Sequence, residues 1–392
     1  MRITPDEEYV KNHKKMQDSC GKEVTVGIRL KRFFSNFTIK QIVFSLMAVV
    51  SLLLFLVLTI WSHHLTSQLT DQQAAQRWDK DGKSVQVSCY FTDQVKLTDM
   101  EFIGFKKKLE QMLKETLPAD EYSEENDRRL VVDGYSAMGK VTVLSEKGKL
   151  TDVDAIGIGG DYFLFHPVKL LSGGYFTGED LMQDSIILDT EGAWQLFGSN
   201  DIVGKSVMIG GVPHYVAGVI ERDGSKFAKS AGLNKTTVYL SDDSLQAYGT
   251  TAGISNYEVL APNPVRHFVY NAVKDQLGVA EDDMVVVENT TRFKVESLIP
   301  VILEFGTRSM QNAAIRFPFW ENVARGYEDV CALILIFQFL FLLIPGTILI
   351  VFFIWKWRHR TFTWKDLGNR IIDIRDGLRK KSRREKEKWE NF

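Results

Sequence analysis

Two uncharged stretches determine the architecture of this chain: QIVFSLMAVVSLLLFLVLTIW at Gln41–Trp61 and CALILIFQFLFLLIPGTILIVFFIW at Cys331–Trp355. The first has 21 residues and the second has 25. At about 1.5 Å of rise per residue, each stretch is long enough to cross a hydrocarbon layer of about 30 Å as a helix. We therefore expect a membrane protein with two transmembrane helices. This expectation excludes a simple soluble enzyme.

The charges around these stretches predict how the chain lies in the membrane. The first 40 residues carry nine Lys and Arg against five Asp and Glu, and the tail after Trp355 carries thirteen against six. Residues 62–330 carry 26 basic and 39 acidic residues, a net charge of −13. Because basic residues near membrane ends favour the cytoplasm, we expect both termini inside the cell membrane and the loop outside. The net charge of the whole chain is −2, which argues against a nucleic-acid partner.

This topology predicts five parts. They are a cytoplasmic segment at 1–40, a first transmembrane helix at 41–61, an extracytoplasmic domain at 62–330, a second transmembrane helix at 331–355 and a basic amphipathic cytoplasmic tail at 356–392. A 40-residue polar leader precedes the first apolar run, so we interpret that run as a retained anchor rather than a cleaved signal peptide. Cys89 is the one cysteine in the outer domain, so no disulfide framework is expected there.

Residue patterns in the outer domain predict an α+β fold. Ser84–Phe91 is typical of a strand, and apolar residues after Thr98 follow helical spacing as far as Pro118. A strand, a helix and another strand are predicted at Tyr257–Leu260, Val265–Val273 and Met284–Val287. We expect these two distant units to form one porter-like α+β subdomain, with a β-rich subdomain inserted at about 141–250.

The inserted region and the two flanks complete this prediction. Short elements are expected in the insertion: strands at Ser185–Leu188, Ser206–Ile209, His214–Val219 and Thr237–Leu240, and a helix at Glu191–Phe197. Both membrane helices are expected to continue outward as helical stalks, the first through Ser62–Gly82 and the second from about Leu298.

Motifs that suggest chemistry have simpler structural interpretations. Gly198–Ser206 has five residues between its glycines, whereas a phosphate-binding loop has four, so a turn before a strand is expected. Gly157–Gly160 lacks the following helix of a dinucleotide site, and we expect a loop or bulge. The pair His63–His64 has no acidic or cysteine partner at ligand spacing. We therefore predict no catalytic residue, no cofactor, no metal site and no enzymatic activity.

The tail contains a stripe of apolar residues spaced three and four apart, which predicts an amphipathic helix with flanking basic residues. Two interpretations remain open: an interfacial helix on anionic lipid headgroups, or a contact surface for a cytoplasmic partner. The stripe consists of Trp364, Leu367, Ile371, Ile374 and Leu378.

The stretch from Gly173 to Ile220 contains GGYFTGED, then SIILDTEGAWQLFG, then NDIVGKSVMIGGVPHYVAGVI. Their order and spacing resemble the extracytoplasmic core domain of MacB-type ABC transporter permeases. The family turn carries an arginine where this chain has Gly174. The matching positions are Gly173, Phe176, Asp180, Ala193, Leu196, Phe197, Gly198, Gly204, Lys205, Val216, Gly218 and Val219.

The resemblance implies a subunit that pairs with a separate cytoplasmic ABC ATPase and with a second permease subunit or a copy of itself. It also implies that ATP-driven changes pass through stalk helices to the outer domain. Family permeases have four membrane helices, whereas two are predicted here, so this chain is an atypical form. It would be either a half-size permease or an accessory subunit.

Two classes of function follow from these observations. The leading hypothesis is a non-catalytic membrane subunit of an ABC-type complex, coupling the ATPase to the outer domain for mechanotransmission or export. The alternative is a two-helix sensor or envelope scaffold with a ligand-binding outer domain. The 37-residue tail is too short for a kinase, so a sensor would need a partner for its output.

Overall fold

A computed structural model describes residues 38–118, 129–178, 180–306 and 314–359, together with Arg375. The chain divides into two compact units, one from the described residues of Met1–Val57 and Gln338–Phe392 and one of Leu58–Phe337. The helices in the described residues are α1 Ile39–Ser67, α2 Ala74–Trp78, α3 Asp99–Thr116, α4 Tyr162–Phe165, α5 Thr190–Phe197, α6 Lys226–Ser230, α7 Asp242–Tyr248, α8 Phe268–Gln276, α9 Val295–Leu303 and α10 Phe319–Arg358.

Two of these helices, α1 and α10, are long and apolar enough to cross a membrane. Most large apolar side chains of α1 are exposed, for example Phe44 and Leu53, as expected for a helix whose solvent is lipid. The same holds for the later part of α10, including Phe339 and Phe353. Both predicted apolar stretches are therefore helical along their whole length.

The second unit is built on one mixed sheet. Its strands are β1 Ser84–Phe91, β2 Val132–Leu144, β3 Lys149–Gly160, β4 Lys169–Gly173, β5 Ser185–Asp189, β6 Ser206–Ile209, β7 Val212–Glu221, β8 Thr237–Ser241, β9 Thr250–Pro262 and β10 Met284–Glu288. They lie in the order β10–β1–β9–β2–β3–β8–β5–β7–β4, and β6 pairs with β2 and β7. Most pairs are antiparallel, but β3–β8 and β5–β7 are parallel.

One core lies between α3, α8 and the β1–β9–β10 end of the sheet. Helix α3 begins at a capping box, in which the Glu101 carboxylate accepts a hydrogen bond from the Thr98 backbone N–H at 2.6 Å. Its buried residues Phe102, Phe105, Leu109 and Leu113 recur every three or four positions and face the sheet. Phe102 stacks on Tyr257 of β9 with ring centroids 4.4 Å apart.

A second core lies under the rest of the sheet. It contains Ile186 and Leu188 of β5, Val216 of β7, and Leu196 of α5. The sheet runs continuously through both cores. The division into a porter-like α+β subdomain and a β-rich subdomain inserted at about 141–250 stays a prediction.

The structure corrects three sequence predictions. Gly157–Gly160 is not a loop or bulge but the end of β3, where Gly159 pairs with Tyr135 of β2. A Cβ on Gly159 would lie 2.0 Å from the Tyr135 ring. Only glycine therefore leaves enough space for that aromatic side chain. Neither stalk is one continuous helix: the first ends at Ser67 and is followed by short helices at Thr70–Gln72 and Ala74–Trp78, and on the second side α9 ends at Leu303, before α10 begins at Phe319. Val265 lies outside α8, which begins at Phe268.

Candidate functional site

The candidate site is a buried charged junction where the ends of both apolar helices meet the outer sheet. It consists of Asp71, Gln72, Gln86, Ser88, Tyr90, His166, Glu258, Asn289, Arg292, Glu321 and Glu328. These residues come from six separate parts of the chain within Leu58–Phe337. We call this set the junction.

Arg292 is the central cation of the junction. It follows a short 3-10 helix, Asn289–Thr291, that ends β10. Its Nη1 and Nη2 donate to the two carboxylate oxygens of Glu321, each at 2.6 Å, and its Nε donates to Glu328. Both carboxylates are on α10, seven residues or about two turns apart, so they lie on one face of that helix. Arg292 therefore attaches the sheet to the start of α10.

Two further contacts extend this cluster. Arg292 Nη1 also donates to Gln72 Oε1 at 3.1 Å, and Gln72 lies five residues after the end of α1. The hydroxyl of Tyr90 on β1 donates to Glu321 Oε2 at 3.0 Å. Arg292 and Glu321 thus connect three parts of the fold: the segment after α1, the start of α10 and the sheet.

A second ionic cluster lies beside the first. His166 follows α4, and its Nδ1 lies 2.9 Å from an Asp71 carboxylate oxygen while its Nε2 contacts Glu258 of β9. Ser88 donates to the same Glu258 carboxylate at 2.5 Å, and Asn289 donates to Ser88 at 2.6 Å. Because Asn289 and Arg292 belong to one turn, the two clusters form one polar network.

The alternation of β1 explains how polar residues reach this position. Successive side chains of a strand point to opposite faces, so Val85, Val87, Cys89 and Phe91 enter the core under α3. Gln86, Ser88 and Tyr90 point to the other face, which is covered by the junction instead of by water. All eight residues of β1 are consequently buried.

Burial and the nearby carboxylates have opposing effects on the pKa values of the two cations of the junction, His166 and Arg292. Burial lowers the pKa of His166, but the nearby carboxylates of Glu258 and Asp71 raise it more, to about 9. Burial likewise lowers the pKa of Arg292, and Glu321 and Glu328 more than offset that effect, so its pKa is raised. The pKa of the Tyr90 phenol is raised by burial and by Glu321. Both cations thus keep their charge at neutral pH.

The outer ends of the two apolar helices are adjacent. Ser62 directly follows the first uncharged stretch, and Cys331 is the first residue of the second stretch. The Ser62 hydroxyl lies 3.8 Å from the Cys331 sulfur. In the other unit, the Ser51 hydroxyl donates to the Phe341 backbone carbonyl. The junction therefore lies directly beyond a place where both helices are in contact.

A cavity of about 410 Å³ opens beside the junction. Its lining includes Asp71 and His166 of the junction and the aromatic residues Tyr162 and Tyr239. Arg222 also lines the cavity and pairs with the Asp189 carboxylate at 3.4 Å. The lining combines both signs of charge with aromatic surface.

The family-pattern positions have structural roles in the β4–β7 region, away from the junction. Gly173 and Gly204 have φ of +79°, Gly198 ends α5 with φ of +71°, and Asp180 closes a turn by accepting hydrogen bonds from Thr177. The Lys205 ammonium lies 5.5 Å from the centre of the Phe197 ring. The remaining positions are on buried or half-buried parts of the same region: Phe176, Ala193, Leu196, Val216, Gly218 and Val219.

Sequence reasoning did not find the junction, and its own tail stripe lies outside the described residues. The stripe comprises Trp364, Leu367, Ile371, Ile374 and Leu378. One signal for the junction was present: Glu321 and Glu328 are acidic residues seven apart, directly before an uncharged stretch. Their partner Arg292 could not be identified, because nothing local to it distinguishes it from other arginines.

Comparisons with known proteins place this arrangement in a family. Residues 43–292 match the family described as MacB-like periplasmic core domain, and this match covers more than half of the chain. The macrolide export ATP-binding/permease protein MacB of Chromobacterium violaceum is 36% identical over 77 residues. That alignment covers 18% of this chain and 12% of the length of that protein.

Two solved structures are similar. One is the extracellular domain of the ABC-type transporter YknZ from Gram-positive bacteria, with 19% identity and a TM-score of 0.33 over 52% of this chain and 99% of that one. The other is the periplasmic region of MacB from Actinobacillus actinomycetemcomitans, with 18% identity and a TM-score of 0.34 over 57% of this chain and 94% of that one.

The family match and the two apolar helices together indicate a membrane protein with an extracytoplasmic segment. The match begins inside the first apolar stretch and ends at Arg292, so it includes all ten described strands of the outer sheet and the central cation of the junction. This chain belongs to the family of proteins with a MacB-like periplasmic core domain.

Proposed function

We propose that this chain is a non-catalytic membrane subunit of an ABC-type transporter complex, driven by an ABC ATPase in a separate cytoplasmic chain. The family match supports a transporter role, since a relative in that family is named as an ATP-binding/permease protein. Both termini are cytoplasmic and residues 62–330 are extracytoplasmic in this proposal, as the basic termini favour. The subunit works with a second permease subunit or a copy of itself.

The observation that carries the proposal is the bidentate ion pair between Arg292 and Glu321. Glu321 is ten residues before Cys331 on the same continuous helix, α10. Removing one partner of a buried pair leaves an uncompensated charge, which costs about 3–5 kcal/mol. A displacement of α10 along or across the membrane therefore carries Arg292 and the sheet with it. The junction acts as a mechanical link, which is what transmission from an ATPase requires.

The cytoplasmic tail supplies the other end of this link. Its stripe from Trp364 to Leu378 is the contact surface for the ATPase, and the flanking basic residues also favour anionic lipid. A glutamate in the stripe would place a charge on the contact surface, whereas a glutamate on the opposite face of the helix that the sequence predicts would not. Leu367 and Asn369 provide these two positions, because 200° of helix rotation separates two residues two apart.

The test is recovery of the tagged full-length protein from its native host in nanodiscs, with mass spectrometry of its companions. We expect a stoichiometric ABC ATPase with the wild type and with Asn369→Glu, and loss of the ATPase with Leu367→Glu. Recovery of the wild type without any ABC ATPase contradicts the proposed function. Equal ATPase recovery with both variants contradicts the role of the tail stripe alone.

A second candidate function, a two-helix sensor, is supported by the cavity of about 410 Å³ beside His166. A ligand there would contact Asp71 and His166, two members of the junction, and so could alter both helix ends. The same purification separates the two candidates: a sensor would be recovered with a kinase or another signalling protein and no ATPase.

A further inference from the structure

Helix α9 carries apolar residues on two faces. Leu298 and Val301 are buried, and they pack with Ile302 against α10. Val295, Ile299 and Leu303 recur every four residues and are exposed, with Leu303 81% accessible. An exposed apolar edge of this kind in a nine-residue helix requires an explanation, because water is a poor solvent for it.

The position of the buried face identifies the surroundings of the exposed edge. The residues that α9 packs against are Cys331, Ala332 and Leu335. These are the first, second and fifth residues of the uncharged stretch, so the contact extends about 6 Å into it. Leu333 and Phe337, at the same level of α10, are also apolar and exposed. Helix α9 therefore lies at the depth where the hydrocarbon layer begins.

The polar end of α9 suits a membrane surface. Lys294 is its N-cap residue, and Arg266 forms an exposed ion pair with Glu296 in the first turn. The apolar edge leads from this first turn to Leu303, which is followed by the C-cap residue Glu304. Charged groups at the two ends of the helix and large apolar side chains on one side are typical of a helix in the interfacial region of a bilayer.

We infer that α9 is a membrane-embedded interfacial helix, whose Val295–Ile299–Leu303 edge contacts lipid acyl chains at the outer surface of the bilayer. Lipid is the occupant that the packing favours, because the helix is held against residues that lipid already surrounds. Helix α9 directly follows Arg292, so the bilayer surface fixes the position of the junction relative to the membrane. This inference does not depend on an ATPase partner.

The test uses single spin labels on the full-length protein in nanodiscs of phosphatidylcholine and phosphatidylglycerol. Ile299→Cys and Leu303→Cys place labels on the apolar edge, and Glu296→Cys, with a side chain 67% exposed, is the matched control in the polar first turn, about 10 Å from Leu303 along the helix axis. All carry Cys20→Ser, while the native Cys89 and Cys331 are buried. Collisions with oxygen report lipid, and collisions with a water-soluble nickel chelate report water.

We expect labels at 299 and 303 to collide more with oxygen than with the nickel chelate, and the label at 296 to show the reverse order. Two labelled positions guard against one poorly folded variant. Preferential collision of both edge labels with the nickel chelate would place α9 in water and overturn the inference. Protection of both labels from both reagents would mean that a second copy or another protein covers the edge, which overturns it equally.

Discussion

Arg292 and Glu321 face each other as a bidentate ion pair, with Nη1 donating to Oε2 and Nη2 to Oε1, both at 2.6 Å. Their side chains are 3% and 1% exposed. A buried pair of this kind adds little net stability over apolar residues, because both charges must be removed from water. It instead enforces one relative position of the sheet and α10, since any other position leaves charges without partners.

Removal of the Arg292 charge should therefore be costly. We expect Arg292→Met to lower the free energy of unfolding by about 3–5 kcal/mol, because Glu321 would remain buried without the cation that pairs with both of its carboxylate oxygens. Urea titration of the full-length protein in detergent, followed by tryptophan fluorescence, measures this. The control is Arg266→Met, whose pair with Glu296 is 70% and 67% exposed and should contribute about 0–1 kcal/mol. An equal decrease in the free energy of unfolding for the two variants would show that the junction ion pair contributes no more to stability than an exposed ion pair.

Protonation of His166 should make stability depend on pH. The folded pKa of about 9 lies above the ordinary value of 6.5, so protonated His166 stabilises the fold fully below pH 6.5. That contribution is lost as pH rises toward 9. We expect the urea midpoint to fall across this window, and His166→Gln to reduce the slope. His214→Gln is the control, because His214 contacts the Ser244 hydroxyl rather than a carboxylate. An unchanged slope in His166→Gln would refute this role of the ion pairs.

Gly173 should not accept a side chain. Its φ is +79°, and an added Cβ would lie 2.0 Å from the backbone carbonyl oxygen of Ala217. We expect Gly173→Ala to lower the free energy of unfolding by about 2 kcal/mol or more, from backbone strain and the clash together. At the neighbouring Gly174, no atom of the described residues beyond its two chain neighbours lies within 4 Å of the equivalent position, so Gly174→Ala should change stability by about 0.5 kcal/mol or less. Reversal of this order would contradict the observed turn.

Proximity of the two helix ends can be tested by cross-linking. We expect Ser62→Cys to form an intramolecular disulfide with Cys331 under mild oxidation, because the side-chain atoms of these residues are 3.8 Å apart. Cleavage within the outer domain, followed by electrophoresis without reductant, detects the link. Ser67→Cys, at the end of α1, is the control and should stay unlinked. Both variants carry Cys20→Ser, and Cys89 does not compete, because its side chain is enclosed in the core under α3. Failure of Ser62→Cys to link faster than Ser67→Cys would contradict the contact.

Periodicity in the sequence predicted the strands and helices that depend on residues close to one another in the chain. Ser84–Phe91 and Ser206–Ile209 are strands over the predicted ranges, and Asp99–Thr116 is a helix beginning after Thr98 as expected. The capping box and the apolar spacing of α3 lie within a few residues of one another, so a single sequence is sufficient to recognise them.

Strands that depend on contacts with residues distant in the sequence were not predicted. Val132–Leu144 and Lys149–Gly160 are long strands, but their glycines weaken any alternating pattern, and Gly159 is explained only by Tyr135 on the neighbouring strand. The junction was missed for the same reason. Gln86 and Ser88 resemble solvent-facing strand residues in the sequence, but in the structure Gln86 donates to the Asp71 backbone carbonyl and Ser88 donates to Glu258 on the adjacent strand. Polar residues on one face of a strand predict that this face is exposed to water. Here that face is buried, because residues distant in the sequence cover it.

The most direct test of the coupling account is amide hydrogen exchange of the purified complex, measured with and without ATP. The account predicts that peptides covering 70–78 and 289–303 change their exchange rates when the ATPase binds nucleotide, and that Leu367→Glu abolishes this change while Asn369→Glu retains it. The account would be contradicted if the ATPase responds to nucleotide in the intact complex while exchange at both junction segments stays the same.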